Sequence, residues 1–196
     1  MHRSGEVPVL RIGISGAGAL LWAALYLLLT PTEFISLVAA VTMHELGHFL
    51  ALILLDAGAD SLCLTGTGLR IDCRFGLPFW GETLTALAGP VFGMLWCVCS
   101  WSLGLYLSCR LSAALTLFNL LPLSYMDGGR ALHGFIGMMA GRVKANRICE
   151  GIDVALSMLF CALGLFSAMH GLGAGTAVIA AWISLYTFQK RRNTLD

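Results

Sequence analysis

Two histidines and one glutamate lie close together in the segment 41–50, which has the sequence VTMHELGHFL. His44 and His48 are four residues apart, so on an α-helix their imidazoles project from one side, roughly 40° apart and about 6 Å apart along the axis. Imidazoles placed in this way can bind one zinc ion. Glu45 follows the first histidine and can contact a water molecule held by that metal. The pattern therefore predicts the metal centre of a hydrolase.

The residues around this motif are almost entirely apolar. Between Phe34 and Leu55 the only ionisable side chains are those of the two histidines and Glu45. Ionisable groups are costly in lipid and normally face a protein interior at a functional site. So short a motif also occurs by chance, and a buried helix can carry histidines that only hydrogen-bond to their neighbours. The apolar surroundings favour the functional interpretation.

The composition is that of a polytopic membrane protein. Of the 196 residues, 58% are hydrophobic and only 12% are charged, and the mean hydropathy is +0.82. The net charge of +1 gives no indication of nucleic-acid binding. We expect an all-α fold with six transmembrane helices, of which the fourth is interrupted. The apolar segments are 12–30, 34–55, 83–107, a fourth that starts at 111–118, 149–169 and 172–188.

A polar, glycine-rich segment, 56–82, separates the second and third predicted helices. Residues 69–75 alternate between apolar and polar types, which is typical of a strand, and residues 61–65 supply a possible partner. The sequence predicts a small β-hairpin at the membrane surface. Its function stays open: the hairpin caps the helices, or its edge pairs with an extended peptide.

The interruption of the fourth helix brings a further candidate ligand. Pro122 ends the helical pattern, and Gly128 and Gly129 allow unusual backbone conformations. Irregular backbone at membrane depth is tolerated only where protein or a water-filled cavity surrounds it. We therefore predict Asp127 as the third metal ligand, with capping of a helix over 130–139 as the alternative role. Two imidazoles and one carboxylate leave one position open for water, which is typical of catalytic zinc.

These motifs together resemble the site-2 protease family of intramembrane zinc metalloproteases. They are HELGH in an apolar helix, Ala-Gly-Pro in the next, an Asn-x-x-Pro stretch and then Asp-Gly-Gly. The resemblance extends over about residues 34–140 and is closest to the group that includes stage IV sporulation protein FB. It differs at Ser124 and Tyr125, where the family often has prolines.

The resemblance implies both an activity and the residues that carry it. His44, His48 and Asp127 would bind one zinc ion per chain, Glu45 would act as the general base, and Asn119 would lie near the scissile carbonyl. The substrate would be a membrane-tethered protein, such as a pro-sigma factor or an anti-sigma factor. Inhibitory or regulatory membrane proteins would be further partners. We expect one metalloprotease domain over 1–196, with the hairpin inserted at about 56–82 and without a PDZ or C-terminal regulatory domain.

The distribution of positive charge predicts the orientation in the membrane. With six helices, both termini lie on one side, which collects eleven Lys and Arg residues, whereas the other side keeps only Arg110. The positive-inside rule then places both termini in the cytoplasm, and places cleavage near that face. We expect the membrane to be that of a bacterial cell. Arg142, Lys144 and Arg147 would form a basic loop, and we expect Glu150 and Asp153 to pair with these cations.

Two other functions fit part of the sequence. A zinc transporter would use the histidines in a permeation path, but this hypothesis leaves Glu45 and the spacing of the motif unexplained. A non-catalytic membrane scaffold would have no need for both Glu45 and Asp127. We therefore favour the protease.

Overall fold

The computed structural model describes residues 11–14, 16–57, 59–65, 68–73 and 76–171. The chain divides into two compact units, Met1–Leu120 and Leu121–Asp196. Within the described ranges the helices are α1 (Gly16–Leu28), α2 (Pro31–Leu54), α3 (Phe79–Ser102), α4 (Tyr106–Asn119), α5 (Asp127–Ala140) and α6 (Arg142–Met169). The strands are β1 (Arg11–Ile14), β2 (Ala59–Thr65) and β3 (Gly68–Cys73).

Three helices, α2, α3 and α6, are long and apolar enough to cross a membrane. Each exposes large apolar side chains, among them Leu54, Trp101 and Met158, as expected for surfaces that face lipid. The chain is therefore a multi-pass membrane protein, and its helices confirm the predicted all-α class in outline. Helices α1 and α4 have 13 and 14 residues, fewer than the roughly 20 that a straight transmembrane helix needs. The predicted span at 172–188 lies outside the described residues.

Helix α2 begins with a capping box. The Thr30 hydroxyl accepts a hydrogen bond from the Glu33 N–H at 3.4 Å, and the Glu33 carboxylate accepts one from the Thr30 N–H at 2.9 Å. Pro31 follows the cap at the first helical position. These signals start the helix at Pro31, whereas the apolar pattern alone predicted a start at Phe34. Its 24 residues extend for about 36 Å, enough to cross the hydrocarbon core.

The sheet lies in the first unit and has the strand order β1-β2-β3. Strands β2 and β3 are antiparallel, with Leu62 opposite Ile71, whereas β1 is parallel to β2, with Ile12 opposite Leu62. The prediction that a membrane helix starts at Ile12 is therefore wrong. Apolar residues at 12 and 14 alternate with other types, and this period also fits a strand.

Small residues bring α2 and α3 into close contact. A Cβ atom added to Gly47 would collide with the backbone carbonyl of Ala88. Helices in lipid use such positions because close approach increases their van der Waals contact. Helix α3 ends before Leu107, its predicted last residue, because Gly104 adopts a φ of +74° that closes the helix.

The second unit contains α5 and α6, which are joined at Gly141 with a φ of +80°. Helix α5 starts at Asp127 and not at 130, and its N-cap is Met126, which makes no side-chain capping bond. The alternative role of Asp127 as a helix cap is therefore wrong, and Gly128 and Gly129 are helical. The predicted basic loop at 142–147 is also wrong, since these residues form the first turns of α6.

Candidate metal centre

Helix α2 holds His44 and His48 on one buried face. The two side chains are 3% and 7% exposed. Their Nε2 atoms are 3.3 Å apart, and their rings meet edge to face with centroids 5.0 Å apart. The predicted convergence of the imidazoles is therefore present, and it follows from helical spacing alone.

A contact with α3 orients the second imidazole. His48 Nδ1 lies 2.8 Å from the backbone carbonyl oxygen of Thr85. A carbonyl oxygen only accepts, so Nδ1 carries the proton, and Nε2 of the neutral ring is left as the nitrogen that can bind a metal. Such a contact fixes both the tautomer and the orientation of a metal-binding histidine.

Two glycines of α3 provide the space that the imidazoles occupy. A Cβ atom added to Gly89 would collide with Nε2, Cε1 and Cδ2 of His48. A Cβ atom added to Gly93 would lie 3.6 Å from His44 Nδ1 and would collide with the Thr116 hydroxyl of α4. The small-xxx-small spacing of Gly89 and Gly93 in the sequence indicates only close packing between helices. Their contact with the metal-binding motif was missed because spacing within one helix says nothing about the side chain opposite.

Glu45 lies next in sequence to His44 on α2 and is half-buried. The structure therefore keeps this carboxylate on the helix that carries both histidines. Its role as a general base stays a prediction.

Asp127 is the first residue of α5 and is 7% exposed. A carboxylate at this position is stabilised by the positive end of the helix dipole. Its Oδ1 atom is 3.7 Å from Nη1 of Arg130, one turn along the helix, which offsets part of its charge. His44, His48 and Asp127 together form a group of three donors that could hold one metal ion.

The donor chemistry fits zinc. Two imidazoles and one carboxylate are a donor set of catalytic zinc sites, which keep a further position for water. The space that Gly89 leaves for His48 and the hydrogen bond from His48 to Thr85 both suit a ring held ready for a metal.

Two other polar residues make local hydrogen bonds. Asn119, at the end of α4, donates from Nδ2 to the Leu115 carbonyl at 3.1 Å. Its predicted place beside a scissile carbonyl stays a prediction. His133 lies 2.8 Å from Oδ1 of Asn146, a contact between α5 and α6. This contact gives His133 a role in packing between the two helices.

Comparison with known proteins gives a consistent result. The profile of peptidase family M50 matches residues 101–163. Zinc metalloprotease MJ0392 of Methanocaldococcus jannaschii is 28% identical over 161 residues, which are 76% of this chain and 45% of that protein. The chain thus spans less than half the length of this curated relative.

A solved structure shows the same fold. The site-2 protease from Methanocaldococcus jannaschii aligns with a TM-score of 0.69 over 94% of this chain and 93% of that chain, at 21% identity. The alignment therefore extends well beyond the residues that the family profile matches.

Proposed function

From the similarity to peptidase family M50 and to a zinc metalloprotease, and from the fold shared with a site-2 protease, we propose that the chain belongs to the site-2 protease family and is an intramembrane zinc metalloprotease. It hydrolyses a peptide bond in a membrane-tethered protein. The observation that carries this proposal is the group formed by His44, His48 and Asp127, with Glu45 next to the first histidine on a helix long and apolar enough to cross a membrane.

Each residue has a distinct task in the proposed reaction. The two histidines and Asp127 would hold the zinc ion, which would supply Lewis-acid activation of water and of the peptide carbonyl. Glu45 takes a proton from the attacking water as its oxygen bonds to the carbonyl carbon. Glu45 then delivers this proton to the leaving nitrogen as the C–N bond breaks. The Asn119 side chain helps to stabilise the developing negative charge on the carbonyl oxygen.

The predicted topology and substrate are finer parts of the proposal. We propose six transmembrane segments with both termini in the cytoplasm of a bacterial cell, supported by eleven positive residues on that side and one on the other. Cleavage would occur near the cytoplasmic face. A pro-sigma factor, as in sporulation, or an anti-sigma factor is the substrate class proposed.

The sheet of the first unit supplies a place for an extended substrate. A helical peptide hides its carbonyl groups in its own hydrogen bonds and must unwind before cleavage. Strand β3 lies at the edge of the described sheet, next to β2, and this edge can offer replacement hydrogen bonds by strand addition. The backbone pairing of these strands supports this part of the proposal.

The test is cleavage of a membrane-tethered peptide by the purified protein in proteoliposomes. We expect Glu45→Gln to keep its zinc and to lose cleavage, because Gln cannot accept the proton from water. Glu33→Gln is the matched control on the same helix, since Gln preserves the capping box. Normal cleavage by Glu45→Gln would remove Glu45 from the mechanism. Zinc flux into the vesicles without any cleavage would show a transporter instead.

A further inference from the structure

Asp153 is a buried carboxylate on α6 that the proposed reaction does not use. Its residue is only 4% exposed, and it lies in one of the helices that can cross a membrane. An ionisable side chain in such a helix is costly and marks a functional position. Asp153 Oδ1 accepts a hydrogen bond from the backbone N–H of Ser124 at 2.8 Å. The sequence had predicted pairing with nearby cations; it gave no indication of this contact.

The hydrogen bond connects α6 to the anchoring segment, which we define as residues 121–126. Two buried side chains of this segment, Leu123 and Met126, pack with Leu156 and Phe160 of α6. Leu156 is three residues after Asp153, so both lie on one side of the helix. One face of α6 thus holds the anchoring segment by a polar contact and by apolar packing.

The anchoring segment in turn determines where α5 begins. The Leu123 carbonyl accepts a hydrogen bond from the Met126 N–H at 2.8 Å. The same carbonyl lies so close to Gly129 that a Cβ atom there would collide with it. Asp127 lies between these contacts in the sequence, so its backbone position depends on the conformation of the anchoring segment.

We propose that Asp153 is a positioning residue for Asp127. By holding the Ser124 N–H, it fixes the anchoring segment and so orients the carboxylate that binds zinc. This inference rests on the proposed function, because it takes Asp127 as a zinc ligand. Residues that orient metal ligands commonly change metal affinity or activity by about 10- to 100-fold. The backbone N–H needs an oxygen acceptor at position 153 and does not need a negative charge.

The test compares three substitutions in the full chain. Asp153→Leu removes the acceptor at similar volume, Asp153→Asn keeps an acceptor oxygen, and Glu150→Leu changes an exposed acidic residue on the same helix. Zinc affinity is measured by competition with a chelator, and amide exchange at Ser124 is measured by hydrogen–deuterium mass spectrometry. We expect Asp153→Leu to weaken zinc binding by about 10-fold or more and to speed exchange at Ser124. Asp153→Asn and Glu150→Leu should remain close to the wild-type protein in both measurements.

Wild-type zinc affinity in Asp153→Leu would overturn the positioning role, and so would weakened affinity with Ser124 still protected. If Asp153→Leu does not fold, the Asp153→Asn variant provides the test. Wild-type zinc affinity and a protected Ser124 amide in that variant support the positioning role. Weakened affinity with Ser124 protected in that variant overturns it. A wild-type protein that binds no zinc would instead refute the proposed function, so the two failures are distinguishable.

Discussion

The residues proposed as metal ligands are positioned differently within the two units of the chain. In the first unit, His44 and His48 lie on one uninterrupted helix, and helical geometry alone sets the distance between their imidazoles. In the second unit, Asp127 is the first residue of its helix, and the irregular anchoring segment precedes it. Helical spacing therefore positions the two histidines, whereas tertiary contacts position Asp127.

The contacts that hold these donors also differ in kind. The His48 imidazole occupies space that Gly89 leaves open, and one hydrogen bond to Thr85 orients it. The anchoring segment before Asp127 depends on Asp153 and on buried apolar side chains. The first arrangement is mainly steric, while the second is polar and apolar together. Substitutions that change only the contacts of His48, or only those of the anchoring segment, can measure the two contributions separately.

Gly89→Ala should have the largest effect. The added methyl group would occupy the position of the His48 ring, and displacement of that ring should abolish zinc retention and cleavage. Zinc content after gel filtration measures the effect. Gly151→Ala is the control, since a Cβ atom there meets nothing within 4 Å. Full zinc content in Gly89→Ala would show that the close packing does not position the histidine.

Asp127→Asn comes next. It removes the negative charge of the third ligand but keeps an oxygen donor, so we expect weaker zinc binding with both histidines still in place. The loss should exceed the roughly 10-fold that removal of an orienting partner costs. Competition with a chelator gives the affinity. Unchanged metal content in the purified variant would point to another ligand, with His133 the first to test.

Leu123→Ala should act through stability. Leu123 is fully buried in the anchoring segment, and loss of such a side chain leaves a cavity that costs about 2–5 kcal/mol of unfolding free energy. Denaturant titration in detergent would measure this loss. Leu117→Ala, at an exposed position of α4, is the control and should change stability much less. Equal stabilities would contradict the packing described for this segment.

Arg130→Gln should have the smallest effect. Arg130 lies 3.7 Å from Asp127, and its side chain is 43% exposed, so solvent screens the pair and its contribution is less than about 1 kcal/mol. We expect nearly unchanged stability and zinc affinity. A large loss of zinc in this variant would mean that Arg130 takes part in orienting the carboxylate.

The sequence predicted the placement of the two histidines better than that of Asp127. Helical spacing gave the placement of His44 and His48, because both belong to one regular element. The start of α5 was predicted three residues late, because Gly128 and Gly129 were interpreted as helix breakers. Gly129 is helical and leaves room for the Leu123 carbonyl, a contact that no local pattern reveals.

Other features were missed for the same physical reason. The apolar residues of strand β1 also fit the start of an apolar helix. Only the pairing of β1 with β2 distinguishes the strand from the helix. The burial of Asp153 depends on the anchoring segment packed against α6. Residues whose role depends on a partner distant in sequence have no signature of their own. The sequence therefore indicated the candidate metal-binding residues, but it did not indicate the residues that position them.

We propose that His44, His48 and Asp127 bind one zinc ion per chain. Elemental analysis of gently purified protein tests this proposal most directly, with His44→Ala/His48→Ala as the variant and Glu45→Gln as the control. We predict about one zinc ion per chain in the wild-type and Glu45→Gln proteins, and none in the double variant. Absence of zinc from the wild-type protein, with no cleavage after zinc is added back, would contradict the account.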